Sequence, residues 1–394
     1  MPSNSNPEIS IVVPTYREAE NLPELFARLS AAMKSDSLNA EIIVVDDNSP
    51  DGTVEVCREA DRSDLPIRLL VRKNQRGLSS AVVAGLRQAR GDYLIVMDAD
   101  LSHPPERIAD LIAGLRDGSD FVIGSRYVAG GSTSADWGFL RLLNSKIATW
   151  LARPLTIAQD PMAGFFALSA ETYREAATDL EPIGYKIGLE LMVKGHCVAV
   201  SEKPIHFEDR RQGESKLNLR EQLNYLRHLS RLYQYKYGLT STAARFSLVG
   251  LSGVFVDVAA FSLVSTVATI PVARALAIGV AMTWNFQWNR HFTFAHCGPK
   301  TNWANQFARY ASTCMLGAVL NWMISVVMVS RFGLTPMSGA LTGILLASVS
   351  NFLLCRSFVF RTTQPPSTVQ PQATSRIAPA ATATSRVPAK RRAA

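Results

Sequence analysis

Cysteine is scarce and poorly placed for cross-linking: Cys57, Cys197, Cys297, Cys314 and Cys355 stand far apart, with no CxxC pair among them. That excludes a disulfide framework and a zinc site of the usual spacing, and it fits reducing surroundings. Acidic residues nearly vanish from the last third. Residues 241–361 hold one Asp or Glu against eight Lys or Arg, and residues 362–394 hold none against five, whereas residues 1–240 carry 32 against 28. The net charge of +8 therefore belongs to the C-terminal part. No charge interrupts Tyr310 to Ser330 or Phe332 to Cys355, each run long enough to cross a hydrocarbon layer of roughly 30 Å. At the other end, MPSNSNPE lacks a basic n-region and ISIVVP is too short for an h-region, so no signal peptide is expected and the first domain is expected in the cytoplasm. No GxGxxG follows the first apolar run, which removes the phosphate cradle of the usual dinucleotide binders.

What is present divides the chain. Four apolar stretches, about 243–268, 271–292, 308–330 and 334–356, are expected as transmembrane helices. From Thr362 onward the sequence runs to Pro, Ala, Ser and Thr with scattered Arg, too little apolar surface to fold, so 362–394 is expected as a disordered basic tail. Up to about residue 130, short β-branched runs alternate with helical ones: ISIVVPT with LPELFARLSAAM, AEIIVVDD with TVEVCREA, IRLLVRK with LSSAVVAGLRQA, YLIVMDAD with PERIADLIAGLR, and FVIGSRY to close. The pattern predicts an α/β domain with a mostly parallel, Rossmann-like sheet, followed by an all-α membrane domain of four helices. Ligands of such sheets bind beyond the carboxyl ends of the strands, and the polar clusters PTYRE, DDNSPDGT, DADLSHPPE and GSRY fall at those ends.

Within VMDADLSHPPE, Asp98 and Asp100 stand at i and i+2. In extended chain both side chains point the same way while Ala99 faces the other side. Two hard oxygen donors suit Mg²⁺ or Mn²⁺, a cation that completes its shell with water and substrate phosphates. A solvated acidic turn or a helix cap before PPERI is the alternative for the pair taken alone.

PTYRE, VVDDNSPDGT, RGLSSAVVAGL, GDYLIVMDADLSHPPE and GSRY together resemble a family 2 glycosyltransferase of GT-A fold, and within it the polyprenyl-phosphate mannose synthases of the dolichol-phosphate type. Trp137, Arg141 and Ser145, Asp160 and Gly164 in DPMAGF, GYKIGLE and FEDRRQGESKL extend the likeness over about residues 8–240. The resemblance implies transfer of a sugar from a nucleotide sugar to a lipid phosphate, with GDP-mannose preferred over UDP-glucose. It places Pro14, Tyr16, Glu18 and Asp47 along the nucleotide, Asp98, Ala99 and Asp100 at the metal and diphosphate, and Lys186, Arg210 and Lys216 on the donor side. Ser102 stands where some members carry a Gln that helps hold the metal, and the shorter side chain is expected to act through water.

A departing nucleotide diphosphate is stabilised by a cation and fixed positive groups, roles that fall to the metal, Arg210 and Lys216. A lipid phosphate arrives ionised and needs no general base; it needs charged groups to hold it, for which Arg126 and Arg141 are the candidates. In-line attack would invert the anomeric centre. The partners expected are thus a nucleotide sugar, a polyprenyl phosphate and the bilayer, with no nucleic acid; assembly into a homo-oligomer stays open.

A hydrocarbon-tailed acceptor accounts for the membrane part. Residues 1–215 are expected as the catalytic domain and 216–240 as an amphipathic interfacial helix. There Leu219, Leu223, Leu226, Leu229 and Tyr233 recur at helical spacing beside Arg220, Arg227 and Arg231. In the membrane domain, 241–361, NFQWNRHFTF recurs as NFLLCRSFVF 66 residues on, a duplicated hairpin that resembles the GtrA-like four-helix family. Asp257 and Asn321 should face the bundle. A transport or scaffold protein with a degenerate sugar-nucleotide domain is the other reading, and the intact DxD, GSRY and GESKL residues favour the enzyme.

Overall fold

The computed structural model describes residues 6–62, 65–133, 139–208, 219–295, 297 and 302–360, and of Phe139 to Leu142 and Leu219 the backbone only. The chain forms two compact units, one ending at Thr242 and the other beginning at Ala243.

The first unit follows the alternation read from the sequence as far as the fifth strand: β1 (Ile9–Thr15), α1 (Leu22–Ser35), β2 (Ala40–Asp46), α2 (Thr53–Asp61), β3 (Ile67–Val71), α3 (Leu78–Leu86), β4 (Tyr93–Val96), a 3₁₀ turn at Pro105–Arg107, α4 (Ile108–Arg116) and β5 (Phe121–Ser125). There follow β6 (Ser132–Thr133), α5 (Phe139–Ala152), β7 (Phe166–Ser169), α6 (Ala170–Ala177), α7 (Ile187–Lys194), β8 (Val200–Pro204), β9 (His206–Phe207) and α8 (Leu219–Val264), whose helical geometry breaks at Gly238. The main sheet has the order β3-β2-β1-β4-β7-β5-β8. It is parallel except for β7, which runs antiparallel to both β4 and β5.

Side-chain alternation along the strands builds the core as two layers. Ile9, Ile11 and Val13 of β1 pack with Leu25 and Leu29 of α1 and with Ile108 and Leu111 of α4. Val12 turns to the other face and joins Ala81, Val82 and Leu86 of α3 with Ile187 and Leu191 of α7. Strands buried on both faces leave only their ends free for chemistry. The insertion of β7 matters most here, because its antiparallel run starts beside the carboxyl ends of β4 and β5. The register pairs Phe166 with Val96 and with Ile123, so the segment before Phe166 is delivered to the rim where the polar motifs lie.

The second unit comprises the rest of α8, then α9 (Ile270–Trp288), α10 (Trp303–Phe332) and α11 (Pro336–Leu354). The two copies of the repeat each close on a π turn, Asn289–Thr293 and Cys355–Val359. Their last phenylalanines, Phe294 and Phe360, stack on each other with centroids 4.6 Å apart, so the duplication is also a structural pairing. Helices stand at all four expected places. By length and apolarity, three stretches among the described residues could cross a membrane: Arg220–Val264, Trp303–Phe332 and Pro336–Val359. Helix α9 falls outside that set. The large apolar side chains here point outward, as Leu251, Phe255, Trp322 and Leu345 do, which suits lipid rather than water. Asp257 meets Arg274 at 2.7 Å, and α11 packs its Gly343 against Asn321 of α10.

Candidate active site

Three loops leave the carboxyl ends of β1, β2 and β4, and each contains a non-glycine residue with left-handed backbone: Arg17 (φ 62°), Asn48 (φ 57°) and Leu101 (φ 63°). Such residues cost about 1–3 kcal/mol apiece and persist where the surroundings impose them. Side-chain bonds do so here. Asp46 accepts from the amide and hydroxyl of Ser49, and Ser49 in turn accepts from the amide of Arg17. Asp51 accepts from the Thr53 hydroxyl at 2.6 Å and from the Ala19 amide at 3.2 Å. Burial pushes the Asp51 carboxyl upward, but these donors outweigh it and hold the group below the usual range.

Asp47 is buried, and its oxygens accept from Nε of Arg72 at 2.7 Å and from the Gly77 amide at 2.9 Å. It therefore ties the loop before α3 to the rim. Tyr16 stands at the rim 38% exposed, with the guanidinium of Arg76 5.0 Å and that of Arg17 5.3 Å from its ring centroid. Glu18 accepts from Asn21 Nδ2 at 2.7 Å. Pro14 pairs with Val45 inside the sheet.

The DxD stretch separates its two carboxylates by burial. Asp100 is 6% exposed, and its Oδ1 accepts from the hydroxyl of Ser102 at 2.5 Å and from its amide at 3.1 Å. Asp98 is half-buried. Its amide donates to Nδ1 of His103 at 2.9 Å, and the His103 ring stacks on Phe165. Ala99 faces into the core, as the alternation requires.

The segment Asp160–Gly164, delivered by β7, gathers three of the expected residues. Asp160 is fully buried and accepts from Nε and one terminal nitrogen of Arg126, both at 2.8 Å. Burial alone would lower the Arg126 pKa; the bonds and charge of Asp160 outweigh it and hold the guanidinium above its ordinary value. The Met162 carbonyl accepts from Lys186 Nζ at 2.9 Å. A Cβ on Gly164 would lie 3.0 Å from Oδ2 of Asp98 and 3.2 Å from Cε1 of His103. Asp98, Arg126 and Lys186 thus converge on five residues of one loop.

Comparison with known proteins follows the same division of the chain. The family described as Glycosyl transferase family 2 matches residues 10–174, and GtrA/DPMS, transmembrane domain, matches residues 245–360. A dolichol-phosphate mannosyltransferase of Pyrococcus furiosus is 38% identical over 361 residues, covering 90% of this chain and 100% of the relative. The chain belongs to the dolichol-phosphate mannosyltransferase family. Relatives of the same designation from Mycosarcoma maydis (44% identical over 242 residues, 60% of this chain and 82% of that one) and Saccharomyces cerevisiae (43% over 239 residues, 59% and 89%) match as well. The protein is a membrane-bound glycosyltransferase.

Of the residues expected in this transferase site, the side chain of Arg141, together with Trp137, Arg210 and Lys216, lies outside the described residues. Those described fall into two groups: Asp98, Asp100, Ser102, Arg126 and Lys186 around the β4, β5 and β7 ends, and Tyr16, Glu18 and Asp47 beyond β1 and β2. Arg72, Arg76 and His103 were not anticipated. His103 sits inside the motif that drew attention to Asp98, yet its bond back to the Asp98 amide depends on a turn that spacing does not specify.

No group of three or more His, Cys, Asp or Glu side chains gathers to cage a metal among the described residues. Two carboxylates, one held by Ser102 and the other left room by Gly164, nevertheless fit a hard cation that takes its remaining ligands from water and diphosphate.

Proposed function

We propose that this transferase moves mannose from GDP-mannose to a polyprenyl phosphate with inversion at the anomeric carbon. The observation that carries the reading is the convergence of Asp98, Arg126 and Lys186 on Asp160–Gly164, in a chain aligned along the full length of a dolichol-phosphate mannosyltransferase.

Asp98 and Asp100 would hold Mg²⁺ or Mn²⁺, with Ser102 fixing the Asp100 carboxylate. When bound, the metal would supply positive charge against the diphosphate. Lys186 lies at the same rim, and Arg210 and Lys216 are proposed to join it in neutralising the leaving group. Arg126, oriented by Asp160, and Arg141 hold the acceptor phosphate. A phosphate oxygen forms the new bond to the anomeric carbon, the bond to the diphosphate oxygen breaks, and GDP leaves with that electron pair. The acceptor carries no proton to remove, so no general base is needed. Tyr16, Glu18 and Asp47, with Pro14 behind them, form the nucleotide side.

The domain division 1–215, 216–240, 241–361 and 362–394 is part of the proposal, the last segment lying outside the described residues. So is a multi-pass arrangement in the cell membrane with the catalytic unit in the cytoplasm, where nucleotide sugars are made. The test offers purified full-length protein GDP-mannose or UDP-glucose with polyprenyl phosphate and Mg²⁺ or Mn²⁺, then counts sugar in the lipid phase. Transfer from GDP-mannose that survives EDTA, or transfer from UDP-glucose alone, would overturn it.

A further inference from the structure

The turn that carries Lys186 is held by two helices. Ser79 of α3 donates through its hydroxyl to the Gly184 carbonyl at 2.8 Å. From α8 come Glu221, Asn224 and His228, which stand at i, i+3 and i+7 and so share one helical face. A Cβ on Gly184 would lie 3.6 Å from Oε2 of Glu221 and 3.7 Å from Cβ of Asn224. One helical turn further on, the ring of His228 donates to the main-chain carbonyl of Lys186. Lys186 is the residue before α7, and its Nζ donates to the Met162 carbonyl at 2.9 Å.

His228 is 2% exposed. Its Nε2 is buried without a partner, so Nδ1 makes the bond to Lys186. Glu190 does not compete for that proton: its Oε1 accepts from Lys194 Nζ and from the Glu181 amide, both at 2.7 Å, and its Oε2 stands 3.9 Å from Nδ1. Burial holds the ring neutral, below its ordinary value; Glu190 opposes this, and Lys194 and Arg231 add to it. A neutral ring with a bare, buried Nε2 costs stability that an apolar side chain of the same shape avoids. What the histidine supplies is a donor that fixes the backbone of Lys186.

We propose that His228 is a positioning residue for the transfer reaction: through it α8, the helix that runs on into the membrane unit, holds the backbone from which Lys186 faces the diphosphate. The inference rests on the donor-side placement of Lys186 proposed above. The same helix also supports the acceptor side. Tyr225 and Tyr233 donate to the Ala148 and Leu151 carbonyls of α5, the helix of Arg141, at 2.7 and 2.8 Å.

The test is titration calorimetry on full-length protein in detergent with Mn²⁺ and GDP or UDP, whichever the parent binds, so that it reads the diphosphate side without lipid or transfer. His228→Phe keeps the bulk and loses the donor, and its affinity should fall about tenfold, the effect of one hydrogen bond. His228→Asn, whose amide takes the place of Nδ1, should stay within about threefold of the parent. Lys186→Met should weaken binding by itself, and His228→Phe added to it should cost nothing further, because the group it positions is gone. Full additivity in that pair, or unchanged affinity in His228→Phe, would overturn the positioning role alone. Parent-like affinity in Lys186→Met would overturn the donor-side placement and this inference with it. Transfer assays add a second readout: in His228→Phe the KM for the nucleotide sugar should rise while that for polyprenyl phosphate stays put. A parallel rise in both, the mark of a generally loosened α8, would overturn the role. Should His228→Phe not fold, His228→Leu takes its place in the same comparison.

Discussion

The backbone N–H of Asp98 donates to Nδ1 of His103 at 2.9 Å, and Nε2 of the same ring lies 3.9 Å from Oδ2 of Asp98. With Nδ1 accepting, the proton of the neutral ring sits on Nε2, on the side of the carboxylate. The ring, 2% exposed, is itself wedged by Phe165 and by the edge of Phe207. His103 is thus a positioning residue for Asp98. The side-chain oxygen of Asn can take the place of Nδ1, so His103→Asn should keep Mn²⁺-dependent GDP binding within about threefold of the parent. His103→Phe keeps the stack and loses the acceptor, and should weaken that binding about tenfold with Tm near the parent. Titration calorimetry checks both; unchanged affinity in the Phe variant would reduce the ring to packing.

Gly164 has the complementary role of leaving space. An added methyl would press on Asp98 at 3.0 Å and on His103 at 3.2 Å, and the backbone there has no positive φ to complicate the exchange. Gly164→Ala should raise the metal concentration needed for half-maximal transfer about tenfold and leave Tm close to the parent. A matching fall in Tm would mean that the fold, not the carboxylate, was disturbed.

Asp160 and Arg126 form a buried pair. Removing one partner leaves an uncompensated charge, so Asp160→Ala should cost about 3–5 kcal/mol of stability. Asp160→Asn should fold better and still lose the orientation of Arg126. In that variant the KM for polyprenyl phosphate should rise about tenfold while the KM for GDP-mannose stays put. Parallel increases in both would refute the assignment of Arg126 to the acceptor.

Burial first, then the nearby charge of Asp46, pushes the Cys57 thiol up to about 12; burial and then Asp120 do the same for Cys197. An unfolded thiol ionises near about 8.5. Both states are protonated below that value, so these groups leave stability unchanged there; above it only the unfolded chain releases protons, and stability falls as pH climbs toward 12. Maleimide labelling of the native protein at pH 8 should therefore be slow at both positions. The Cys57→Ala variant should lose less Tm than the parent between pH 9 and 11, and an identical slope would contradict the shift.

Orientation is tested by single cysteines in a cysteine-free background. With the catalytic unit inside and four crossings, Leu334→Cys, next to the left-handed cap Gly333 of α10, should react in intact cells with an impermeant maleimide. Asn302→Cys should react only after lysis. The reverse pattern would overturn the topology, as it would arise if α9 did not cross, and labelling of both in intact cells would show that neither α9 nor α10 crosses.

Periodicity in the sequence was enough to determine the strands β1 to β5 and the helices between them, because a strand buried on both faces must be continuously apolar and a helix packed on it must show a stripe. The carboxyl-end location of the polar motifs followed from the parallel order, and the duplicated hairpins from repeated residues. All of these are local properties. Tertiary structure alone decided that β7 enters antiparallel between β4 and β5, and with it that Asp160, Met162 and Gly164 reach Arg126, Lys186 and Asp98. A four-residue strand such as Phe166–Ser169 has too few positions to declare its partner or direction, and those are settled by which neighbours it can pair with and bury against. The same limit hid His103 and Arg72: each is held by a bond across a turn or between loops, where the distance in space bears no fixed relation to the distance in sequence.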